Sequence, residues 1–244
     1  MTLNHFVWTD LSTFDVRAAG KDFAEMFGWS YRGGRQYRYA LIGSSPVAAI
    51  FPMPKRLVDL SMPSFWMSYV HVADLGASVE KARGHNGVVI EIEPMPFDKE
   101  AQIALVRDPS GAGFTLYEGP EIGSSDTVHG TGRVAGRFHH VPDIGLIEPF
   151  YSDMFGWRFQ KEVDGPWPVY GILDKGGRLV AKAEEVPEEI RGKFRYWVPC
   201  FAVQSLEETR KRLTRRGGEL VTNLGDGRLM LADQQGAHFM VRAV

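Results

Sequence analysis

The segment FAEMFGW, from Phe23 to Trp29, returns as YSDMFGW, from Tyr151 to Trp157, 128 residues further along the chain. Two more pairs follow in the same order at nearly the same spacing: FWMSYVHVADLGASVEKA with RYWVPCFAVQSLEETRKR, and DPSGAGFTLYE with DQQGAHFMVRA. Three ordered matches do not arise easily by chance, and their period is far longer than that of solenoid repeats. The sequence therefore predicts the duplication of a whole domain.

The boundary between the two predicted domains lies where the apolar pattern stops. The stretch EGPEIGSSDTVHGTG, from Glu118 to Gly132, is rich in glycine and serine and has no apolar period, which is typical of a linker. We therefore predict a first domain at residues 1–122, a linker at 123–132 and a second domain at 133–244.

Each half also contains an internal repeat. The residues before FGW in the first half have the spacing of an amphipathic helix, with Asp15 as its N-cap and Gly28 as its C-cap. Its apolar stripe consists of Val16, Ala19, Phe23, Met26 and Phe27. Three strand-like segments follow this helix. An opening strand and these elements together make one β-α-β-β-β unit.

The second part of the first half follows the same plan. WMSYVHV reads as a strand, and DLGASVEKARGHNG reads as a helix opened by Asp74 and closed by the glycine near Asn86. VVIEIEP, AQIALVRDP and AGFTLYE then read as three strands. The chain is thus predicted to hold four β-α-β-β-β units, and its fold class is predicted to be α+β.

This pattern resembles the vicinal oxygen chelate superfamily, which includes glyoxalase I, bleomycin-resistance proteins and extradiol dioxygenases. The resemblance rests on FAEMFGW, VHVADLGASVEKA and DPSGAGFTLYE, and it covers nearly the whole chain. It implies two tandem half-barrel domains, in each of which two paired units surround a cavity for a small organic ligand. It also implies, for the enzymes of the family, a divalent metal held by first-strand and last-strand side chains and acting as a Lewis acid.

The positions that the resemblance assigns to metal ligands hold unsuitable side chains. Trp8 and Met67 stand at two first-strand positions, and the matching residue of the fourth unit is about Val198. Thr115 and Met240 stand at the last-strand positions, where the family enzymes carry glutamate. None of these is a good ligand for a hard or borderline dication. We therefore expect no metal cofactor of the family type.

An alternative metal site remains open in the second domain. His140 and His238 could line one cavity, and Cys200 near them would suit zinc. This alternative predicts a divalent metal such as zinc or iron, serving a lyase, an isomerase or a dioxygenase of the glyoxalase type. Cys200 could also be a nucleophile, although a lone cysteine is usually just a buried residue.

Strand alternation predicts which side chains line the two cavities. The predicted ligand-binding pocket comprises Trp8, Asp10, Met67, Tyr69, His71, Thr115, His140, Tyr196, Cys200, His238 and Met240. An apolar wall with a few polar groups is typical of small-molecule sites. Structural roles are the alternative: Trp8 as a core residue, His71 as an internal hydrogen-bonding group, and Asp10 as a cap to a backbone amide.

Composition and charge exclude several classes of function. The chain of 244 residues carries a net charge of −2 and a single cysteine, so nothing suggests nucleic-acid binding or a disulfide framework. No segment reads as a signal peptide or a membrane span, so we expect a cytoplasmic protein that is a monomer or a weak homodimer. The acidic run of Glu184, Glu185, Glu188 and Glu189 is interpreted as a solvated loop.

The leading hypothesis is a small-molecule binding protein of the glyoxalase and bleomycin-resistance type, without the family metal. Its partner is expected to be a small hydrophobic or aromatic molecule. A metal-dependent enzyme with a displaced site in the second domain is the alternative, so whether the chain is an enzyme stays open. The fold alone does not decide, because one scaffold carries many chemistries.

Overall fold

The computed structural model describes residues 3–122, 130–162, 166–191 and 195–244. Residues 123–129, which make up most of the predicted linker, lie outside the described residues. No helix in the described ranges is both long enough and apolar enough to cross a membrane.

The four predicted β-α-β-β-β units are confirmed, and we call them modules 1 to 4. Modules 1 and 2 comprise β1 Phe6–Thr13, α1 Val16–Phe27, β2 Ser30–Gly33, β3 Arg38–Ile42, β4 Ser45–Pro52, α2 Lys55–Asp59, β5 Phe65–His71, α3 Leu75–Arg83, β6 Val89–Pro96, β7 Gln102–Arg107 and β8 Gly113–Glu118. Modules 3 and 4 comprise β9 Val134–Val141, a 3-10 turn Ile144–Leu146, α4 Glu148–Phe155, β10 Arg158–Glu162, β11 Val169–Leu173, β12 Leu179–Glu185, α5 Glu188–Arg191, β13 Trp197–Val203, α6 Leu206–Arg215, β14 Glu219–Asn223, β15 Arg228–Ala232 and β16 His238–Ala243.

These strands form two mixed sheets of eight strands each, which confirms the α+β class. Their orders are β2-β3-β4-β1-β5-β8-β7-β6 and β10-β11-β12-β9-β13-β16-β15-β14. In every module the first strand lies parallel to the last one, because the helix between them returns the chain to the same end of the sheet. The other neighbouring strands within a module run antiparallel.

The chain divides into two compact units, and each unit draws on both halves of the sequence. Unit 1 consists of Met1–Val7, Ser68–Glu121 and Arg137–Trp197, and unit 2 consists of Trp8–Met67, Ile122–Gly136 and Val198–Val244. The two sheets, in contrast, follow the two halves of the chain. The predicted domains at 1–122 and 133–244 stay a prediction.

Each unit has an aromatic core, and the two cores match residue for residue across the sequence repeat. The core of unit 1 includes Phe114, Tyr151, Phe155, Trp157 and Trp197. The matching residues in the core of unit 2 are Phe239, Phe23, Phe27, Trp29 and Trp66. The match extends to geometry, since the ring centroids of Tyr151 and Trp197 are 5.5 Å apart and those of Phe23 and Trp66 are 5.2 Å apart.

The residues that the sequence predicts as helix caps lie at the ends of α1 and α3. Asp15 accepts hydrogen bonds from the backbone N–H of Arg17 and Ala18, and Gly28 ends α1 in the left-handed conformation, as predicted. A glycine near Asn86 also closes α3, as predicted: the helix stops at Arg83 with Gly84 as its cap, and Gly87 lies in the turn that follows.

The interpretation of the acidic run as one solvated loop was wrong. Glu184 lies in β12 and is fully buried, whereas Glu188 and Glu189 are exposed in α5. The side chain of Glu185 accepts the backbone N–H of Ile144. The negative charge of these residues does not show whether they are exposed, because a strand places alternate side chains on opposite faces and one of those faces is buried.

Candidate functional site

The helix N-caps give a common reference point for comparing the first strands of the four modules. The caps are Asp15, Asp74, Asp143 and Ser205. The residues seven positions before them are Trp8, Met67, Gly136 and Val198. His140 is only three positions before its cap, so it does not occupy the place that Trp8 occupies in module 1.

The last strands can be compared through the turns that precede three of them. Asp108, Asp174 and Asp233 each accept the backbone N–H groups two and four residues further on, so these turns are equivalent. The residues seven positions after these aspartates are Thr115, Ala181 and Met240. In module 1, Asp10 on the first strand pairs in register with Ala49 on the last strand. The equivalent pairs are Tyr69 with Thr115 in module 2 and Cys200 with Met240 in module 4.

These side chains do not fit the divalent metal that the family resemblance implies. Aromatic, aliphatic, thioether and hydroxyl groups replace the imidazoles and carboxylates that bind such ions. Within the described residues, no group of three or more His, Cys, Asp or Glu side chains is arranged to hold a metal ion. No step of a reaction is therefore assigned to a metal at these positions.

Unit 2 instead carries a chain of hydrogen bonds among aromatic rings. Trp8 Nε1 donates to the Tyr37 hydroxyl over 2.9 Å, and this hydroxyl donates to Asp10 Oδ2 over 2.9 Å. The ring centroid of Tyr39 is 6.0 Å from that of Trp8 and 5.2 Å from that of Tyr37. The Phe51 ring stacks on Tyr37 at 5.9 Å. We call these five residues the aromatic cluster.

Strand register explains how the aromatic cluster forms. Asp10 on β1 pairs with Ala49 on β4, and Ala49 pairs with Tyr39 on β3, so the three side chains stand in one row on one face. Trp8 and Asp10 are buried, whereas Tyr37 and Tyr39 are partly exposed. The sequence analysis missed both tyrosines, although their spacing of two residues in QYRYA was a signal for a shared face.

In unit 1, the predicted pocket residues Tyr69, His71 and Thr115 come together on β5 and β8. His71 Nε2 lies 2.9 Å from the carbonyl oxygen of Gly119. Because a carbonyl oxygen only accepts, Nε2 is the donor in this hydrogen bond. The other ring nitrogen of His71, Nδ1, is buried and has no partner among the described residues. The Tyr69 ring lies 6.0 Å from Phe97.

The two adjacent histidines of module 3 have different partners, as expected for neighbours on a strand. His139 Nε2 donates to Asp108 Oδ2 over 2.6 Å, inside the core of unit 1. His140 Nε2 lies 3.3 Å from Glu184 Oε2, and both side chains are buried. Trp167 Nε1 donates to the same carboxylate oxygen over 3.4 Å. The sequence analysis missed Glu184 because it placed this residue in a loop.

The remaining predicted pocket residues are distributed over both units. In unit 2, Met67 accepts the Thr9 hydroxyl at its backbone oxygen, and Cys200 pairs in register with Met240. His238 is also in unit 2, with Nδ1 3.1 Å from the Gly236 oxygen. Tyr196 and His140 belong to unit 1.

Burial makes a direct prediction about Cys200. Its side chain has no solvent exposure, so we expect the native protein not to react with a thiol-specific disulfide reagent. Reaction should begin only when the protein unfolds in denaturant, and a colorimetric thiol assay will measure this. Rapid labelling under native conditions would contradict the placement of Cys200 in the core and would revive its possible role as a nucleophile.

Comparison with known proteins supports the same fold and family. A sequence profile described as the Glyoxalase/Bleomycin resistance protein/Dioxygenase superfamily matches residues 139–234. The chain is thus similar to this superfamily in sequence, over the second half of its length. The glyoxylase-named protein CFP32 of Mycobacterium tuberculosis is 29% identical over 247 residues, covering 96% of this chain and 92% of that protein. The anthracycline biosynthesis protein DnrV of Streptomyces peucetius is 26% identical over 263 residues, covering 96% and 91%.

Among solved structures, the chain resembles the Mn(II)-bound glyoxalase from Novosphingobium aromaticivorans. The TM-score is 0.64 at 10% identity, and the match covers 99% of this chain and 82% of that one. Identity this low shows the fold alone. The metal of that glyoxalase is therefore a property of that protein.

Proposed function

We propose that this protein binds a small planar aromatic molecule at the aromatic cluster and that it does so without the family metal. The observation that carries the proposal is the replacement of metal-type ligands at equivalent positions of the modules. Trp8, Met67, Gly136 and Val198 stand in the first strands, and Ala49, Thr115 and Met240 stand in the last strands of modules 1, 2 and 4.

The aromatic cluster supplies what a planar ligand needs. Tyr37, Tyr39 and Phe51 are partly exposed, so their rings offer apolar surface for stacking. Buried beneath them, the Trp8 indole and the Asp10 carboxylate are held in place by the Tyr37 hydroxyl. Such pockets combine an apolar wall with a few fixed polar groups that orient the ligand.

The names of the relatives agree with this ligand class. DnrV and DauV, which is 24% identical over 261 residues, are named anthracycline biosynthesis proteins, and anthracyclines are aromatic compounds.

A neutral bicyclic probe tests the proposal. We expect 1-naphthalenemethanol to bind the metal-free protein in isothermal titration calorimetry and to raise its melting temperature. Removing one ring in Tyr39→Leu should weaken this binding by about fivefold, because the stacking contribution of one aromatic side chain is lost.

The matched control is Phe14→Leu, which removes an aromatic ring that is 50% exposed and lies outside the aromatic cluster. This variant should bind the probe as the wild type does. Equal weakening in both variants, or no binding by the wild-type protein, would refute the aromatic cluster as the binding site.

A second candidate function rests on the buried pair of His140 and Glu184. An imidazole and a carboxylate 3.3 Å apart are the ligand types of a metalloenzyme, although they are only two groups. Elemental analysis of the purified protein separates the candidates. Zinc, iron or manganese in a one-to-one ratio, lost in His140→Ala, would favour the enzyme and displace the proposal of a metal-free binding protein.

A further inference from the structure

Two histidines of unit 1, His5 and His71, lie side by side where the chain leaves β5. Backbone hydrogen bonds hold them together, since His71 N donates to His5 O over 2.9 Å and Asn4 N donates to His71 O over 2.8 Å. The two rings meet edge to face with their centroids 5.9 Å apart. His71 is buried, whereas the side chain of His5 is 12% exposed, so the pair lies just below the surface.

The Nε2 atom of each histidine faces an acceptor on the segment that follows β8. His71 Nε2 donates to the carbonyl oxygen of Gly119 over 2.9 Å, and His5 Nε2 lies 3.5 Å from Glu121 Oε1. A neutral imidazole that donates through Nε2 holds a lone pair on Nδ1. Both Nδ1 atoms are buried, and neither has a hydrogen-bond partner among the described residues. Because a buried acceptor without a donor is costly, two of them in one place indicate a ligand that accepts electron pairs.

The partners of the two Nε2 atoms are those that accompany histidine in metal sites. A histidine that binds a metal through one ring nitrogen usually donates its other N–H to a carboxylate or a backbone carbonyl, which fixes the orientation of the ring. Gly119 offers the carbonyl and Glu121 the carboxylate. Imidazoles that share an ion through nitrogens about 2.0 to 2.1 Å from it have centroids roughly 5 to 6.5 Å apart, and the observed 5.9 Å falls within this range.

The charged groups around the pair are compatible with a bound cation. Glu121, with its carboxylate beside His5, favours positive charge at this place. Arg178 also acts electrostatically on His5 and opposes a cation there. Its guanidinium is itself paired with Asp174, with Nε 3.1 Å from Oδ2, and this carboxylate offsets much of its repulsion.

We propose that His5 and His71 bind one copper or zinc ion through their Nδ1 atoms. Imidazole suits both metals, and Cu(II) is the ion that such nitrogen ligands hold most tightly among the common divalent ions. The site has two protein ligands, and solvent at the exposed side of His5 completes the coordination. It is separate from the positions that the family resemblance assigns to metal ligands and from the aromatic cluster of unit 2, so it goes beyond the proposed function.

Titration of the tag-free protein with Cu(II) tests the proposal. Competition with a chromophoric chelator measures the stoichiometry and the affinity, and electron paramagnetic resonance detects nitrogen ligands through their couplings to the copper. We expect one Cu(II) per chain with couplings from two imidazole nitrogens. Glu121→Gln should weaken binding by about tenfold, as the loss of an outer partner of a metal ligand usually does, and His5→Gln should weaken it by about a hundredfold or more.

His85→Gln is the matched control, because His85 Nε2 also lies beside a carboxylate, 2.9 Å from Asp153 Oδ2. This variant should bind Cu(II) as the wild type does, and so should His140→Ala, which separates the pair from the buried His140.

The proposal is overturned if the wild type forms no one-to-one copper complex, or if His5→Gln leaves that complex unchanged. An equal loss in His85→Gln also overturns it, since the ion then binds at other surface histidines. Glu121 is half-exposed, so Glu121→Gln decides the matter should His5→Gln fail to fold. None of these results bears on the aromatic cluster, because its naphthalene probe is titrated without metal.

Discussion

Replacing Asp108 with alanine is expected to lower the free energy of unfolding by about 3 to 5 kcal/mol, because it removes the centre of a buried hydrogen-bond network. Asp108 Oδ2 accepts from His139 Nε2 and from the Tyr151 hydroxyl, which in turn accepts from Trp197 Nε1. Oδ1 accepts the Ser110 hydroxyl and the backbone N–H groups of its turn. Urea unfolding followed by circular dichroism measures the loss.

Asp174→Ala is the matched control for Asp108→Ala. Asp174 forms the same type of turn through its Oδ1, but its side chain is 23% exposed, and its Oδ2 pairs with the exposed guanidinium of Arg178 over 3.1 Å. Its replacement should cost about 1 to 2 kcal/mol, because the hydrogen bonds that it removes are exposed to water. Equal losses in the two variants would show that the network adds nothing beyond the turn.

The same network predicts how the free energy of unfolding falls at acidic pH. Burial by itself raises the pKa of Asp108, but the charge and hydrogen bond of His139 and the hydroxyls of Ser110 and Tyr151 outweigh it and hold this pKa below 3.8. Because the pKa of Asp108 is lower in the folded state, its ionised carboxylate stabilises the fold above pH 3.8. This stabilisation is lost as the pH falls through the folded-state pKa. Asp108→Asn should flatten this acid dependence.

The second large effect concerns unit 2, where the network is incomplete. Phe23 and Trp66 take the places of Tyr151 and Trp197, and Asp233 takes that of Asp108. Without the tyrosine hydroxyl, Asp233 Oδ2 and Trp66 Nε1 are buried and have no partner among the described residues. Burial raises the pKa of Asp233 from 3.8 to about 6.

A raised pKa in the folded state makes the protein most stable where Asp233 is protonated. We therefore expect the free energy of unfolding to fall as the pH rises from about 4 to about 6, by roughly 3 kcal/mol in total. Asp233→Asn should remove this dependence. Urea unfolding at several pH values measures it, and an unchanged slope in the variant would assign the dependence to another group.

Phe23→Tyr should repair the network of unit 2. The new hydroxyl would accept from Trp66 Nε1 and donate to Asp233, so we expect about 1 to 2 kcal/mol of added stability at pH 7 and a smaller pH dependence. The reciprocal variant Tyr151→Phe should destabilise the protein by about 1 to 3 kcal/mol. Destabilisation by Phe23→Tyr would show that unit 2 has no room for the hydroxyl.

The repeat, the four modules and the ends of α1 could be predicted because each depends on residues close together in the chain. Helical spacing places the α1 stripe, and Asp15 and Gly28 satisfy backbone groups within a turn of their own positions. The residues at the positions that the family resemblance assigns to metal ligands could also be identified from the sequence, since Trp8 and Thr115 stand at fixed distances from local landmarks.

Only the tertiary structure decided which side chains meet across strands. Tyr37 reaches Asp10 because β1, β4 and β3 pair in one particular register, and Glu184 is buried because β12 places it beside His140. A shift of one residue would move these groups to the opposite face. Register depends on contacts between distant segments, and a periodicity read along a single strand carries no information about its partner.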